Sequence, residues 1–277
     1  MNDYLSFQID FNQPDVVSLY DELPLWSAMF GLLMFKHLPL KRGITALDIG
    51  YGTGFPLIEL AQRLGSTSKV HGVDPWEAAR QRASHKARLW QVGNVELHCC
   101  DAAALPFADE TFDLIVSNLG INNFSDPQTV LKECWRTARP NARLALTTNL
   151  QGHMQEFYQV YEDTLRQLGR EDRIPELHRH IAQRASVDGV SQLFEQAGFQ
   201  VTAVHQETTS MRFVDGSSLF NHSFIKLGFL DGWKSVLPEK DLRAVFQQME
   251  SNLNRWAEGY GELSLTIPMA YIEGQKL

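Results

Sequence analysis

Cysteine is scarce in this chain: Cys99, Cys100 and Cys134 are all that 277 residues contain. An odd number without framework spacing excludes a disulfide scaffold and predicts reduced thiols in a cytoplasmic protein. Long apolar runs are missing too. The most apolar early stretch, LPLWSAMFGLLMF (23–35), contains Pro24 and is too short to cross a bilayer. The start, MNDYLSFQIDF, has acids and no basic segment ahead of an apolar one, so it does not read as a secretory leader. Positive charge is in deficit: 25 Lys and Arg against 33 Asp and Glu leave a formal net charge of -8. That argues against nucleic acid or an acidic membrane surface as a partner. Internal repeats and low-complexity tracts are absent. What is present is an ordinary globular composition, 44% hydrophobic and 21% charged, in a chain long enough for one large domain with insertions.

Strand and helix patterns alternate from 44 to 150. Strands are expected at 44–50, 69–74, 95–100, 112–118 and 143–150, and helices at 55–64, 75–90 and 126–138. Pro75 is placed at the first position of the second helix, and Asp126 caps the third ahead of Pro127. This rhythm predicts a parallel sheet with helices on both faces. The later half breaks it. Residues 153–184 read as helical and polar, 186–199 as a helix closing at Gly198, and 200–208 as a strand. Residues 209–260 read as aromatic-rich and mostly helical, and 262–274 as a last strand, with Pro268 suggesting an edge or a bulge. The organisation expected is an amino-terminal helical cap at 1–43 and a sheet domain at 44–277, with helical insertions near 153–184 and 209–260.

The stretch ALDIGYGTGF (46–55) places Gly50, Gly52 and Gly54 at alternate positions, directly after an apolar run holding Asp48. Glycines at the carboxyl end of a first strand let backbone N–H groups approach a ligand with no Cβ in the way. The dinucleotide pattern G-x-G-x-x-G requires a third glycine where this chain has Phe55. Asp74 ends the second strand, 20 residues after Gly54. A carboxylate there can accept from both hydroxyls of a ribose.

The acid-x-G-x-G-x-G run from Asp48 to Gly54 resembles the first motif of class I S-adenosylmethionine-dependent methyltransferases. The resemblance continues through Asp74, through DAAALPFADETFDLIVSN (101–118) and through LKECWRTARPNARLALTT, where Asn141 and Ala142 replace the family's glycines. It covers about 44–150 and is nearest to small-molecule methyltransferases of ubiquinone and menaquinone biosynthesis. YDELPLWSAMFG, with Tyr20 and Asp21, is similar to their amino-terminal cap. The resemblance implies a doubly wound α/β fold: a mostly parallel, seven-stranded, Rossmann-like sheet whose last strand is antiparallel. It implies S-adenosylmethionine as cofactor, held by Tyr20, Asp48, Gly50, Tyr51, Gly52, Gly54, Asp74, Pro75, Trp76, Asp101, Ala102 and Asn118. Asp101 and Ala102 would hold the adenine. A small-molecule substrate follows.

Methyl transfer from a sulfonium needs alignment and exclusion of water, and a base only where the acceptor carries a proton. The sequence names no catalytic dyad. His222 and Tyr20 are the candidate catalytic residues. After Asn118 come Leu119 and Gly120, not the two prolines and aromatic of enzymes that methylate exocyclic amines of bases. Asn122 and Asn123 either line a pocket or cap a turn. No metal-ligand set is read: only Asp126 stands near the fourth strand end, and His178 and His180 diverge on a helix. Cys99 and Cys100, in or just past a core strand, are expected to be buried and inert. The aromatic stretch 211–233 (Phe213, Phe220, Phe224, Phe229, Trp233) is read as a lid over an apolar substrate, as the core of an insertion, or as a homodimer contact. The alternatives to an enzyme of this class are a non-catalytic S-adenosylmethionine-fold binding or partner protein and a nucleotide-dependent oxidoreductase.

Overall fold

The computed structural model of the chain describes residues 4–21 and 25–277. Residues 1–3 and 22–24 of the expected cap lie outside the described residues. Two compact units are distinguished. A sheet unit comprises Phe11–Asn149, Ala185–Glu207 and Met269–Leu277, and a helical unit comprises Met1–Asp10, Leu150–Arg184 and Thr208–Pro268.

Seven strands make one sheet: β1 (Thr45–Ile49), β2 (Lys69–Asp74), β3 (Val95–Cys99), β4 (Phe112–Asn118), β5 (Ala138–Asn149), β6 (Gln200–Phe213) and β7 (Leu263–Gln275). Their spatial order is β3-β2-β1-β4-β5-β7-β6. The pairings from β3 through β5 are parallel, and β7 runs antiparallel to β5. β1 lies between β2 and β4, so the winding direction reverses there. In open α/β sheets this switch point is where ligands bind, beyond the carboxyl ends of the strands. β4 is apolar because both of its faces are covered: Phe112, Leu114, Ile115 and Val116 are all buried. Helix Leu57–Leu64 turns Leu57, Ile58, Leu60, Ala61 and Leu64 inward, the pattern expected of an amphipathic helix on a sheet. Helix Pro127–Thr137 starts as expected, with the Asp126 side chain accepting from the Thr129 N–H. Helix Val187–Ala197 closes at Gly198 with φ of 106°.

Several expectations need correction. Pro75 is not in the second helix, which runs Glu77–Leu89 behind Trp76; the chain first turns so that the Trp76 N–H reaches Asp74. β5 begins five residues early, and its Asn141 adopts the left-handed φ of 66° that the missing glycine would have taken. β6 continues to Phe213, so 209–213 is strand and not helix. β7 is an interior strand. Pro268 is tolerated because the ladder with β5 ends at Met269, and its carbonyl accepts from Leu150. The crossover from β3 to β4, residues 100–111, carries no helix, in keeping with the lack of a helical pattern there. β3 is an edge strand, and Cys99 on it is exposed, not buried.

In the helical unit the helices are Gln155–Gln167, Ile174–Ala182, Gly216–Asn221, Ser223–Gly228, Leu230–Lys234 and Glu239–Tyr260. Phe157, Tyr161, Phe220, Trp233 and Phe246 have no more than a trace of exposure, and the Trp233 and Phe157 rings stack 4.0 Å apart. Most of the 211–233 aromatics are therefore the core of this unit. Among the described residues, no helix is long and apolar enough to cross a membrane.

Candidate functional site

The loop after β1 needs its glycines. Gly50, Gly52 and Gly54 all have positive φ, at 80°, 52° and 111°. A Cβ on Gly54 would meet the Ile58 side chain at 2.8 Å, so this glycine lets the following helix pack close. A Cβ on Gly52 would meet no atom within 4 Å. Gly52 therefore leaves open space beside its own backbone.

Asp74, at the end of β2, fixes that backbone. One carboxylate oxygen accepts from the Gly52 N–H at 2.8 Å and the other from the Trp76 N–H at 2.8 Å. Burial raises its pKa above the ordinary range, although the two backbone donors pull the other way. Asp48, one strand over, has no exposed surface, and neither oxygen has a hydrogen-bond partner of good geometry. Burial raises its carboxyl well above the usual carboxylate range and the charge of Asp74 adds to this; only the Leu57 N–H offsets it. A buried carboxylate without a partner is costly, and such groups mark functional positions.

Tyr20 and Trp76 meet edge to face at 5.3 Å, and Phe11 joins both. The Trp76 indole N–H donates to the Phe11 carbonyl at 3.0 Å. Burial and then the charge of Asp74 raise the Tyr20 phenol. The helix that carries Tyr20, Pro14–Asp21, is pinned through Asp21, which accepts from Arg82 at 2.8 Å and Lys86 at 2.6 Å. Burial alone would raise Asp21, but the hydrogen bonds from Lys86 and Arg82 hold it below its usual value. Nothing in the sequence around Phe11 announced its place beside Trp76; only the Tyr20-Asp21 pair carried a signal.

The other expected residues are distributed less evenly. The Tyr51 side chain is fully buried, with its hydroxyl toward the His98 carbonyl at 3.5 Å, so only its backbone faces the loop. Asp101 is exposed and accepts from the Ala103 N–H at 2.9 Å, while Ala102 is buried. Pro75 is exposed. Asn118 is occupied at both ends of its amide: it donates to the Ser27 carbonyl at 3.0 Å and accepts from Thr147 at 2.7 Å. Asn122 bonds Asn149 and Thr148, so it ties the loop to β5. His222 belongs to the helical unit, where it is exposed and its ring lies against Phe213 at 5.4 Å. Cys99 is exposed but not activated: burial of its sulfur and then Glu77 push the thiol up.

The strand order with its antiparallel last pairing, and the glycine loop with acids at the ends of the neighbouring strands, are the features of the class I S-adenosylmethionine-dependent methyltransferase fold. Residues 47–146 match the family described as a methyltransferase domain. The chain is 32% identical over 126 residues to a demethylmenaquinone methyltransferase of Geobacillus sp. (strain WCH70), covering 46% of this chain and 54% of that protein. It is 32% identical over 151 residues to a 2-phytyl-1,4-naphtoquinone methyltransferase of Trichormus variabilis, covering 51% of this chain and 65% of that protein. Among solved structures it is similar to a SAM-dependent methyltransferase from Aquifex aeolicus, with a TM-score of 0.54 and 24% identity, covering 71% of this chain and 92% of that one. The chain thus spans about half to two thirds of the length of these curated relatives.

Proposed function

We propose that the chain transfers a methyl group from S-adenosylmethionine to a small, apolar aromatic acceptor. The acceptor class is carried over from the two quinone methyltransferases it resembles. The observation that best supports the reading is the buried Asp48 carboxylate, unpaired beside a glycine loop with open space at Gly52. These residues fit the cofactor. Asp48 would balance its ammonium, Asp74 would accept from its ribose with lone pairs that Gly52 and Trp76 leave free, and Asp101 and Ala102 would hold adenine. When bound, the cofactor supplies an electrophilic methyl on a sulfonium. The chain's own residues then have to hold donor and acceptor in line and keep water out. Phe11, Tyr20 and Trp76 form an apolar wall beside Asp74 suited to that task. The raised pKa of Tyr20 keeps it a hydrogen-bond donor at neutral pH, a positioning role and not that of a base. His222 is assigned no step.

S-adenosylhomocysteine should raise the melting temperature, because a ligand that binds only the native state stabilises it by mass action. NAD and NADP should not, since Phe55 stands where a dinucleotide loop needs glycine. A shift with NAD and none with S-adenosylhomocysteine would overturn the reading. Binding without turnover of any hydroxylated naphthoquinone offered would favour the non-catalytic alternative.

A further inference from the structure

On the face of the sheet away from the helix Leu57–Leu64, three potential ligands converge. His71 lies on β2, and Glu96 and His98 lie on β3. In the parallel ladder His71 pairs with Glu96 and Val73 with His98, so all three side chains leave the same face. Gly72 belongs to the opposite face, where an added Cβ would meet Tyr51 and Leu57. His71 Nδ1 and His98 Nε2 are 3.2 Å apart. Glu96 oxygens are 3.9 Å from His71 Nδ1 and 3.7 Å from His98 Nε2. Ligand atoms around a tetrahedral zinc with bonds of about 2.1 Å are roughly 3.4 Å apart, so these spacings leave room for one ion and little else.

The surroundings suit such a site. Phe107 and Phe112 stand edge-on to His71 at 5.3 and 5.6 Å, and Phe107 stands edge-on to His98 at 4.9 Å. They give the imidazoles a dry backing and fix their planes. Glu96 keeps 47% of its side chain in solvent, which provides an entrance and an open coordination position. The crossover at 100–111 carries no helix and reaches the site through Phe107. Lys69 reaches Glu96 at 2.5 Å, on the oxygen nearer His71, and so holds the carboxylate in orientation as an outer partner would.

We propose that His71, Glu96 and His98 form a binding site for a divalent transition-metal ion, with two imidazoles and a carboxylate of the type zinc accepts. The site staples edge strand β3 to β2. It is separate from the glycine-loop site and does not depend on the function proposed for it.

The test is metal titration of tag-free, chelator-treated full-length protein, read by calorimetry with Zn²⁺ and by visible absorption with Co²⁺. Saturable binding of one equivalent is expected, with the intense absorption of a low-coordinate cobalt site and no thiolate charge-transfer band. His98→Ala and Glu96→Gln, both at solvent-accessible positions, should weaken binding by about tenfold or more. Cys99→Ser should bind as the parent does. Zn²⁺ should also raise the parent's melting temperature but not that of His98→Ala. Absence of saturable binding, undiminished binding by His98→Ala, or loss only in Cys99→Ser would each overturn the proposal. In the first case the pair is an imidazole–imidazole hydrogen bond and nothing more.

Discussion

Asp48 is held against its own electrostatics. Its carboxyl is fully buried, and its folded-state pKa is raised first by burial and then by Asp74. The unfolded value is near about 3.9. Between that value and the raised one, the folded state binds more protons than the unfolded state. Stability therefore falls as pH rises through that window and stays low above it. Asp48→Asn removes the titration. It is expected to stabilise the ligand-free protein by on the order of 1 kcal/mol at pH 8, with a smaller gain at pH 5. Affinity for S-adenosylhomocysteine should fall in the same variant, because the amide cannot balance an ammonium group. Thermal melts at the two pH values, together with calorimetry, check both halves; a variant less stable than the parent at pH 8 would contradict the electrostatic account. The acid itself was legible in the sequence from its place before Gly50. Its orphaned state was not, because that depends on which atoms the packed core leaves within reach.

At the scale of elements, the sequence was most informative where one local force dominates. β2 and β4 were read to the residue, since a short apolar run bounded by turn chemistry has few alternatives. The ends of β5, β6 and β7 were misread because strand length there is set by pairing with distant partners, as with Pro268 beyond the β5 ladder. Cys99 was misread for the same reason: periodicity does not reveal which strand will lie at the edge. The glycine loop was legible as an element because its three positive φ angles demand its composition. It also offers a separation of strain from obstruction. Asn tolerates the left-handed region, and at Gly52 its Cβ would meet no atom within 4 Å. Gly52→Asn is therefore expected to fold with nearly the parent melting temperature but to bind S-adenosylhomocysteine at least about tenfold more weakly, ~1.4 kcal/mol. Normal binding by a well-folded Gly52→Asn would make the loop an ordinary turn.

Over the whole molecule, a net charge of -8 and the Asp74 carboxylate at the proposed site set a negative potential toward an incoming ligand. The methyl donor and its product differ in charge by one: the sulfonium makes S-adenosylmethionine a net cation, while S-adenosylhomocysteine is neutral overall. A field of this sign favours the donor over the product before any contact is formed, and so assists product release. Asp74 is engaged by two backbone N–H groups and Asp48 lies in the core, so neither acid is neutralised by a nearby Lys or Arg side chain in the described hydrogen bonds. The long-range part of this attraction acts through solvent and is screened as the Debye length shortens from about 10 Å at 0.1 M to about 3 Å at 1 M salt. Binding of S-adenosylmethionine is therefore expected to weaken as NaCl is raised over that range, whereas binding of S-adenosylhomocysteine should change far less. Calorimetric titration of both ligands at matched salt concentrations measures the difference. Parallel salt dependence of the two would mean that the sulfonium is recognised by packing alone, and that the acidic charge of the chain acts on solubility and not on cofactor exchange.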